Sequence, residues 1–291
     1  MITVRAPATS ANLGSGFDTF GAALARPADV VAVEKADTTS IEVTGVGAQY
    51  IPEAPEKNTV GAVVEALDAP AHIHIDKGVR PASGLGSSAA SAAAAAVGLN
   101  ELYDRGYTRE ELVPIAAKGE AVVSGVAHAD NVAPAIIGGF TVTTPKGTHG
   151  IDTDIPVVAC LPDVAVSTRD ARRVVPETAS MEQVVETVGN AATLTIGMCR
   201  SDPELVGSGM SDPVVTPERA RLITGYEDVR EAAFEAGATG VTVSGAGPAI
   251  LAACEINDRR HIAAAMVDAF ASAGVESRAY QTRIGRGATI V

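Results

Sequence analysis

Residues 81–90 read PASGLGSSAA, and from Ser87 the chain continues as SSAASAAAAAVGLNELY to Tyr103. Two glycines precede two serines at the start of an alanine-rich run of very high helix propensity. The first N–H groups of a helix have no intrahelical partner and point outward with the positive end of the macrodipole. Gly84 and Gly86 let the backbone approach an anion closely, so the segment predicts a phosphate-binding helix start, with a serine hydroxyl there able to ligate Mg²⁺. It lacks the Gly-Lys-Ser/Thr ending of the Walker loop and needs a different nucleotide-binding solution. A Ser-capped helix after a glycine turn, holding no ligand, accounts for the same residues.

Working outward, Ile2 to Arg5, Val30 to Glu34, Ser40 to Thr44 and His72 to Asp76 read as strands, because apolar and polar residues alternate and β-branched types dominate. Thr108 with Glu111 three residues later forms a capping-box pattern that starts a second helix. Strand-like stretches at Phe140 to Thr144 and Val157 to Leu161 bracket the turn Pro145, Lys146, Gly147. Beyond it, Ser180 and Gln183 cap a helix to about Met198, Pro217 opens another to about Ala236, and Asn257 begins a third to about Ser272. Val241 to Ser244, Ala249 to Cys254 and Val275 to Thr282 read as strands between them. The expected fold class is α+β in two domains, residues 1–155 and 156–291, with an α+β sandwich in the second.

A chain of 291 residues with 46% hydrophobic content has ample apolar surface for a core, and no run approaches the roughly 18 apolar residues that span a bilayer. Cys160, Cys199 and Cys254 are odd in number and far apart, which suits buried thiols in a reducing, cytoplasmic compartment. With 35 acidic against 22 basic residues the net charge is −13, which repels nucleic acid and anionic membranes alike and excludes both as expected partners. Only five of the basic residues are lysines. An acidic surface suited to high salt, where screening relieves like-charge repulsion, is one reading of this balance, and an ordinary acidic cytosolic enzyme is the other.

Two more segments carry chemistry. SGAGP, Ser244 to Pro248, lies between two expected strands, where Gly245 and Gly247 permit positive φ; a turn without a ligand explains it as well. PATSANLGSGFD, Pro7 to Asp18, follows the first strand and sets Asn12 and Asp18 in a glycine-rich loop, where such side chains cap turns or meet a polar substrate.

These three segments, in this order and spacing, resemble the GHMP kinase superfamily over nearly the whole chain. ANLGSGFD, GLGSSAA, HADNVAPAIIGG (His128 to Gly139) and STRDAR (Ser167 to Arg172) resemble its homoserine kinase family in particular. The resemblance implies a mixed-sheet N-terminal ATP-binding domain, a ferredoxin-like C-terminal sandwich and an active site in the cleft between them. It also implies transfer of the γ-phosphoryl of ATP to the side-chain hydroxyl of L-homoserine in threonine biosynthesis, release of ADP, and a homodimer. Residue by residue, Pro81, Ala82, Ser83, Gly84, Leu85, Gly86, Ser87, Ser88, Ala89 and Ala90 would wrap the triphosphate, with Gly245 and Gly247 close by. Ser88 and Glu120, from the KGE segment, would hold Mg²⁺. Asn12, Asp18, His128 and Asn131 would line the homoserine site, Arg172 and Arg219 would hold the amino acid, and Asn58, in KNTVG, would face the adenine. A planar guanidinium pairs a carboxylate bidentately, as lysine cannot. Without the motif, Glu120 also reads as a solvated helix-end charge, His128 as a buried core histidine, and each arginine as half of a surface ion pair. The family's motif usually has proline where this chain has Ser15, a change expected to loosen one turn.

The resemblance further implies that Asn131, Glu120 and Ser88 are the catalytic set. Several GHMP kinases have an aspartate base where this chain has Asn131, which cannot take a proton; a loose phosphoryl-transfer transition state makes little early demand for one. Shikimate or mevalonate kinase, and a catalytically silent nucleotide sensor on the same fold, are the competing readings.

Overall fold

A computed structural model describes residues 1–124 and 129–291. The chain begins with β1 (Ile2–Ala11), β2 (Phe20–Lys35) and β3 (Ser40–Gly45), then α1 (Thr59–Leu67), β4 (Ala71–Lys77), α2 (Ser87–Leu102), α3 (Arg109–Ser124), α4 (Val132–Ile137), β5 (Phe140–Thr144) and β6 (Gly147–Ile151). It continues with β7 (Pro156–Pro162), α5 (Thr168–Arg173), α6 (Met181–Arg200), α7 (Pro203–Gly209), α8 (Thr216–Ala220) and α9 (Tyr226–Glu235). β8 (Ala238–Val243), β9 (Ile250–Cys254), α10 (Arg259–Ser272), β10 (Ser277–Arg283) and β11 (Thr289–Ile290) complete it.

Among the described residues, one sheet has the order β11-β1-β2-β4-β3, with β5 on the far part of β2 and β6 on β5; a second has the order β10-β7-β9-β8. β3 runs parallel to β4, and the other pairs are antiparallel. The first sheet thus ends at Ile151 and the second begins at Pro156, while β11 returns to pair with β1. The architecture is the mixed α+β arrangement expected.

The strands and helices follow from their patterns. In β4, Ala71, Ile73 and Ile75 face inward and His72, His74 and Asp76 outward. α2 is apolar all round, and such a helix belongs inside: residues 89–99 are buried without exception, against Val4, Val31, Val33, Ile73 and Ile75 of the sheet. Alanine keeps the packing distance short, and a Cβ on Gly98 would lie only 3.0 Å from Val33. β7 has two working faces. Val157, Ala159 and Leu161 join Leu24, Phe140, Leu194 and Met198 in a cluster linking the two sheets, whereas Val158 and Cys160 pack beneath α9 and α10.

Three local expectations change. β1 and β2 extend well beyond Ile2 to Arg5 and Val30 to Glu34, because the small residues Ala8 to Ala11 pair with Gly21 to Leu24 past a bulge at Pro7/Ala8. The single helix expected from Pro217 to Ala236 is two, α8 and α9, with Gly225 at φ 81° breaking the run. Ser15 does not loosen its turn: it is buried, and its hydroxyl donates to the Gly209 carbonyl at 2.6 Å, tying the Pro7–Asp18 segment to α7. The adjoining Gly14 has φ 79°, and a Cβ there would sit 1.8 Å from the Met210 carbonyl oxygen.

Candidate active site

The glycine-rich segment forms a tight loop at the start of α2. Gly86 occupies the N-cap at φ 63° and has no side chain with which to cap the first amides of the helix, so the N–H groups that open α2 are left to an incoming ligand. The loop is clamped from behind. Leu85 is buried and its carbonyl accepts from the Thr9 N–H at 3.0 Å; the Ser83 carbonyl accepts from the Ala249 N–H at 3.1 Å. Ser244 Oγ donates to the Gly84 carbonyl at 2.7 Å. A side chain on Gly84 would strike the carbonyls of Ser244 and Gly247 at 2.6 and 2.7 Å, so the SGAGP turn, with Gly245 and Gly247 at positive φ, packs directly on the glycine-rich loop. Pro81 lies over Gly47, Ala82 is exposed at φ 54°, and Ala89 and Ala90 are buried in the first turn of α2.

The two serines diverge. Ser87 Oγ is used on the Val79 carbonyl at 2.7 Å, whereas Ser88 Oγ donates to Glu120 Oε2 at 3.0 Å. Glu120 reaches this place because α3 crosses α1 closely at Gly119, where a Cβ would lie 2.6 Å from the Thr59 carbonyl oxygen. Burial pushes the Glu120 carboxyl up to about 7; the Ser88 hydrogen bond opposes the shift, Asp130 adds to it, and the Lys77 charge opposes it.

Beneath the loop lies a buried ion pair that sequence reading missed. Lys77 faces inward in β4 and places its ammonium on Asp29 Oδ2, the Ser87 carbonyl (2.7 Å) and Ser91 Oγ (2.8 Å). Asp29 also accepts from the N–H groups of Gly78 and Val79, at 3.0 and 2.9 Å, and from Ser91 Oγ at 2.8 Å. All three ammonium protons and both carboxylate oxygens are engaged, the condition under which a buried pair is tolerated. Burial draws the Lys77 ammonium down, and Asp29 holds it up. The inward register of Lys77 in AHIHIDK was the signal available in the sequence.

At the other end of the cleft, Asn12 and Asp18 both have positive φ, and the Asn12 side chain organises the loop between them. Its Oδ1 accepts from the Asp18 N–H at 3.0 Å and its Nδ2 donates to the Gly245 carbonyl at 3.1 Å. Asp18 pairs with Arg172 of α5 at 2.6 Å. The guanidinium groups of Arg172 and Arg219 lie 5.3 and 5.1 Å from the Phe17 ring centroid, within cation–π range. Arg219 is buried and donates to the carbonyls of Gly245 (2.6 Å) and Ala171 (3.4 Å). Burial lowers its pKa, the nearby Arg172 lowers it further, and Asp18, Asp130 and Asp212 hold it up.

Asn131 opens α4 between the two ends, and Thr9 Oγ1 donates to its Oδ1 at 2.8 Å. The structure therefore brings Ser88, Glu120 and Asn131 to the glycine-rich loop, and gathers Asn12, Asp18, Arg172 and Arg219 around Phe17 and Gly245. His128 lies outside the described residues. Asn58 is buried at the N-cap of α1, accepting from the Val60 N–H at 3.0 Å and donating to the Pro52 carbonyl at 2.6 Å. Thr9, Asp29, Lys77, Asp130, Phe17 and Asp212 were not foreseen; Thr9, Asp29, Lys77 and Phe17 meet partners that lie far away in sequence.

Residues 57–139 match the model of the GHMP kinases N terminal domain and residues 194–274 that of the GHMP kinases C terminal domain, and the chain belongs to this family. Relatives that match it over the full length include homoserine kinases. Over all of this chain and 99% of the relative, it is 82% identical to a homoserine kinase of Halorubrum lacusprofundi, and 75% identical over the full length of both to one of Haloarcula marismortui. Among solved structures, the crystal structure of homoserine kinase from Cytophaga hutchinsonii superimposes with a TM-score of 0.91 at 34% identity, covering 100% of this chain and 97% of that one.

Proposed function

We propose that the chain moves the γ-phosphoryl group of ATP onto the side-chain hydroxyl of L-homoserine. The observation that carries this reading is the placement of a zwitterion-sized charge pair, Asp18 with Arg172 beside the buried Arg219, at one end of a cleft whose other end is the uncapped start of α2. A free α-amino acid presents an ammonium and a carboxylate a few ångströms apart. It can insert into the Asp18–Arg172 pair, its ammonium taking Asp18 and its carboxylate taking Arg172 and Arg219. Neither shikimate nor mevalonate has an ammonium to satisfy Asp18, and a silent sensor would have no use for the Ser88–Glu120 pair.

The phosphate loop supplies oriented amides for the triphosphate, backed by the SGAGP turn, with Gly245 and Gly247 shaping it rather than donating side chains. Asn58 orders residues 52–60 and so forms one wall of the adenine pocket. Ser88 Oγ and the Glu120 carboxylate, 3.0 Å apart, are hard oxygen donors of the kind Mg²⁺ takes and would hold it. When bound, that ion neutralises charge on the transferring group. Asn131 faces the transfer point as a positioning group; it cannot act as a base, and a loose transition state permits this. Positioning and charge complementarity then carry the rate.

The reading extends to the whole molecule. We infer lobes of residues 1–155 and 156–291, β11 returning to the first, and a cytoplasmic setting, which the free cysteines Cys160, Cys199 and Cys254 support. Among the described residues, no helix is long and apolar enough to cross a membrane. α6 exposes Met181, Val185, Val188 and Ile196 along one face, an apolar stripe that supports a homodimer; a monomer mass by light scattering would remove that support. ADP release measured with homoserine, shikimate, mevalonate and no acceptor tests the function. Turnover only with homoserine is expected, and turnover with another acceptor, or none at all, overturns the assignment.

A further inference from the structure

Asn131 sits at the N-cap of α4, a position where an asparagine side chain ordinarily accepts from an N–H of its own helix. It makes no such bond. Its Oδ1 accepts the Thr9 hydroxyl at 2.8 Å, and its Nδ2 lies 3.5 Å from Asp130 Oδ1. The two ends of an amide are nearly identical in shape, and their partners decide which way it points. The arrangement uses each end: the nitrogen faces a carboxyl oxygen of Asp130, which accepts, and the Thr9 hydroxyl, which can donate, fills the amide oxygen. Thr9 is itself held firmly. It is fully buried on β1, its N–H donates to the Leu85 carbonyl at 3.0 Å, and its Oγ1 fills the space a Cβ on Gly86 would need, at 1.9 Å.

We propose that Thr9 is a positioning residue whose hydroxyl holds the Asn131 amide with its NH₂ group toward the acceptor. Asn131 then acts in the reaction as a hydrogen-bond donor to an oxygen at the point of transfer. The inference deepens the proposed function and rests on its reading of Asn131. Thr9 reads the phosphate loop through Leu85 and Gly86 and the acceptor side through Asn131, so one buried hydroxyl aligns the two reactants. Charge gathers on phosphoryl oxygens in the transition state, where a fixed donor acts and an inverted amide would present a repelling oxygen.

Thr9→Val keeps the β-branched shape and the N–H to Leu85 and removes only the hydroxyl; Thr9→Ser restores the hydroxyl. For Thr9→Val, kcat is expected to fall roughly 10- to 100-fold, with the KM for ATP nearly unchanged and the melting temperature lowered only by the loss of one buried hydrogen bond. Thr9→Ser should recover most of the rate. In the double variant with Asn131→Ala, Thr9→Val should add nothing to the loss from Asn131→Ala alone, because the two act as a unit. A Thr9→Val enzyme with wild-type kcat, additive losses, or a change confined to the KM for ATP would overturn the role of Thr9. Wild-type turnover by Asn131→Ala would instead overturn the underlying reading of Asn131, and the two failures are distinct.

Discussion

Replacing Glu120 by glutamine should make the nucleotide-free protein more stable and the enzyme slower. Burial raises the Glu120 carboxyl from 4.5 to about 7 in the folded chain. Between those values the unfolded chain has released the proton and the folded chain has not, so this group's contribution to stability falls by about 1.4 kcal/mol per pH unit. The loss begins as pH rises past the unfolded value, totals about 3 kcal/mol by the folded value, and is constant above it. Glutamine has the same shape and no proton to lose, so the stability of Glu120→Gln minus that of wild type should grow by about 3 kcal/mol between pH 4.5 and 7. Urea unfolding at stepped pH, in EDTA and at fixed protein concentration, measures that difference and cancels the titrating groups that do not interact with Glu120. The same variant should lose roughly 100-fold or more in kcat, because an amide cannot neutralise a cation shared with phosphate. Parallel pH–stability curves for the two proteins would refute the buried-acid argument, and an unimpaired kcat would remove Glu120 from the site.

Arg172→Ala and Arg219→Ala should mainly raise the KM for homoserine. Arg219→Ala should also lower the melting temperature, since it removes the buried donor on the Ala171 carbonyl and leaves the Gly245 carbonyl with Asn12 Nδ2 alone; a homoserine KM unchanged in both would contradict the carboxylate contact. With a net charge of −13, stability and activity should rise from low to molar KCl as screening relieves repulsion. A melting temperature highest at low salt would end that idea.

The glycine-rich loop and the helix it opens were legible because their signals are contiguous: glycines at positive φ and hydroxyls at a helix start all lie within ten positions. α6 announced itself through Ser180 and Gln183, whose reciprocal capping box is present as written. The short helices α4, α5 and α7 escaped notice because six or seven residues hold less than two helical turns of pattern. Pro217 to Ala236 looked continuous because Gly225 is tolerated within a helical pattern until its positive φ is known. Thr9 and Asp29 were invisible for a different reason. Thr9 meets Asn131 across 122 positions, and Asp29 meets Lys77 across 48, so their roles exist only once β1, β2 and β4 are in register. Lys77 alone left a trace, a charge on the inward beat of an alternating strand.

The central claim is that the amides opening α2, with Ser88 and Glu120, hold the polyphosphate of the nucleotide. The direct measurement is a crystal structure of the protein soaked with Mg²⁺ and a nonhydrolysable ATP analogue. The account predicts phosphate oxygens against the amides of residues 84–89 and a cation between Ser88 Oγ and the Glu120 carboxylate. Nucleotide bound elsewhere, with this loop empty, would contradict it.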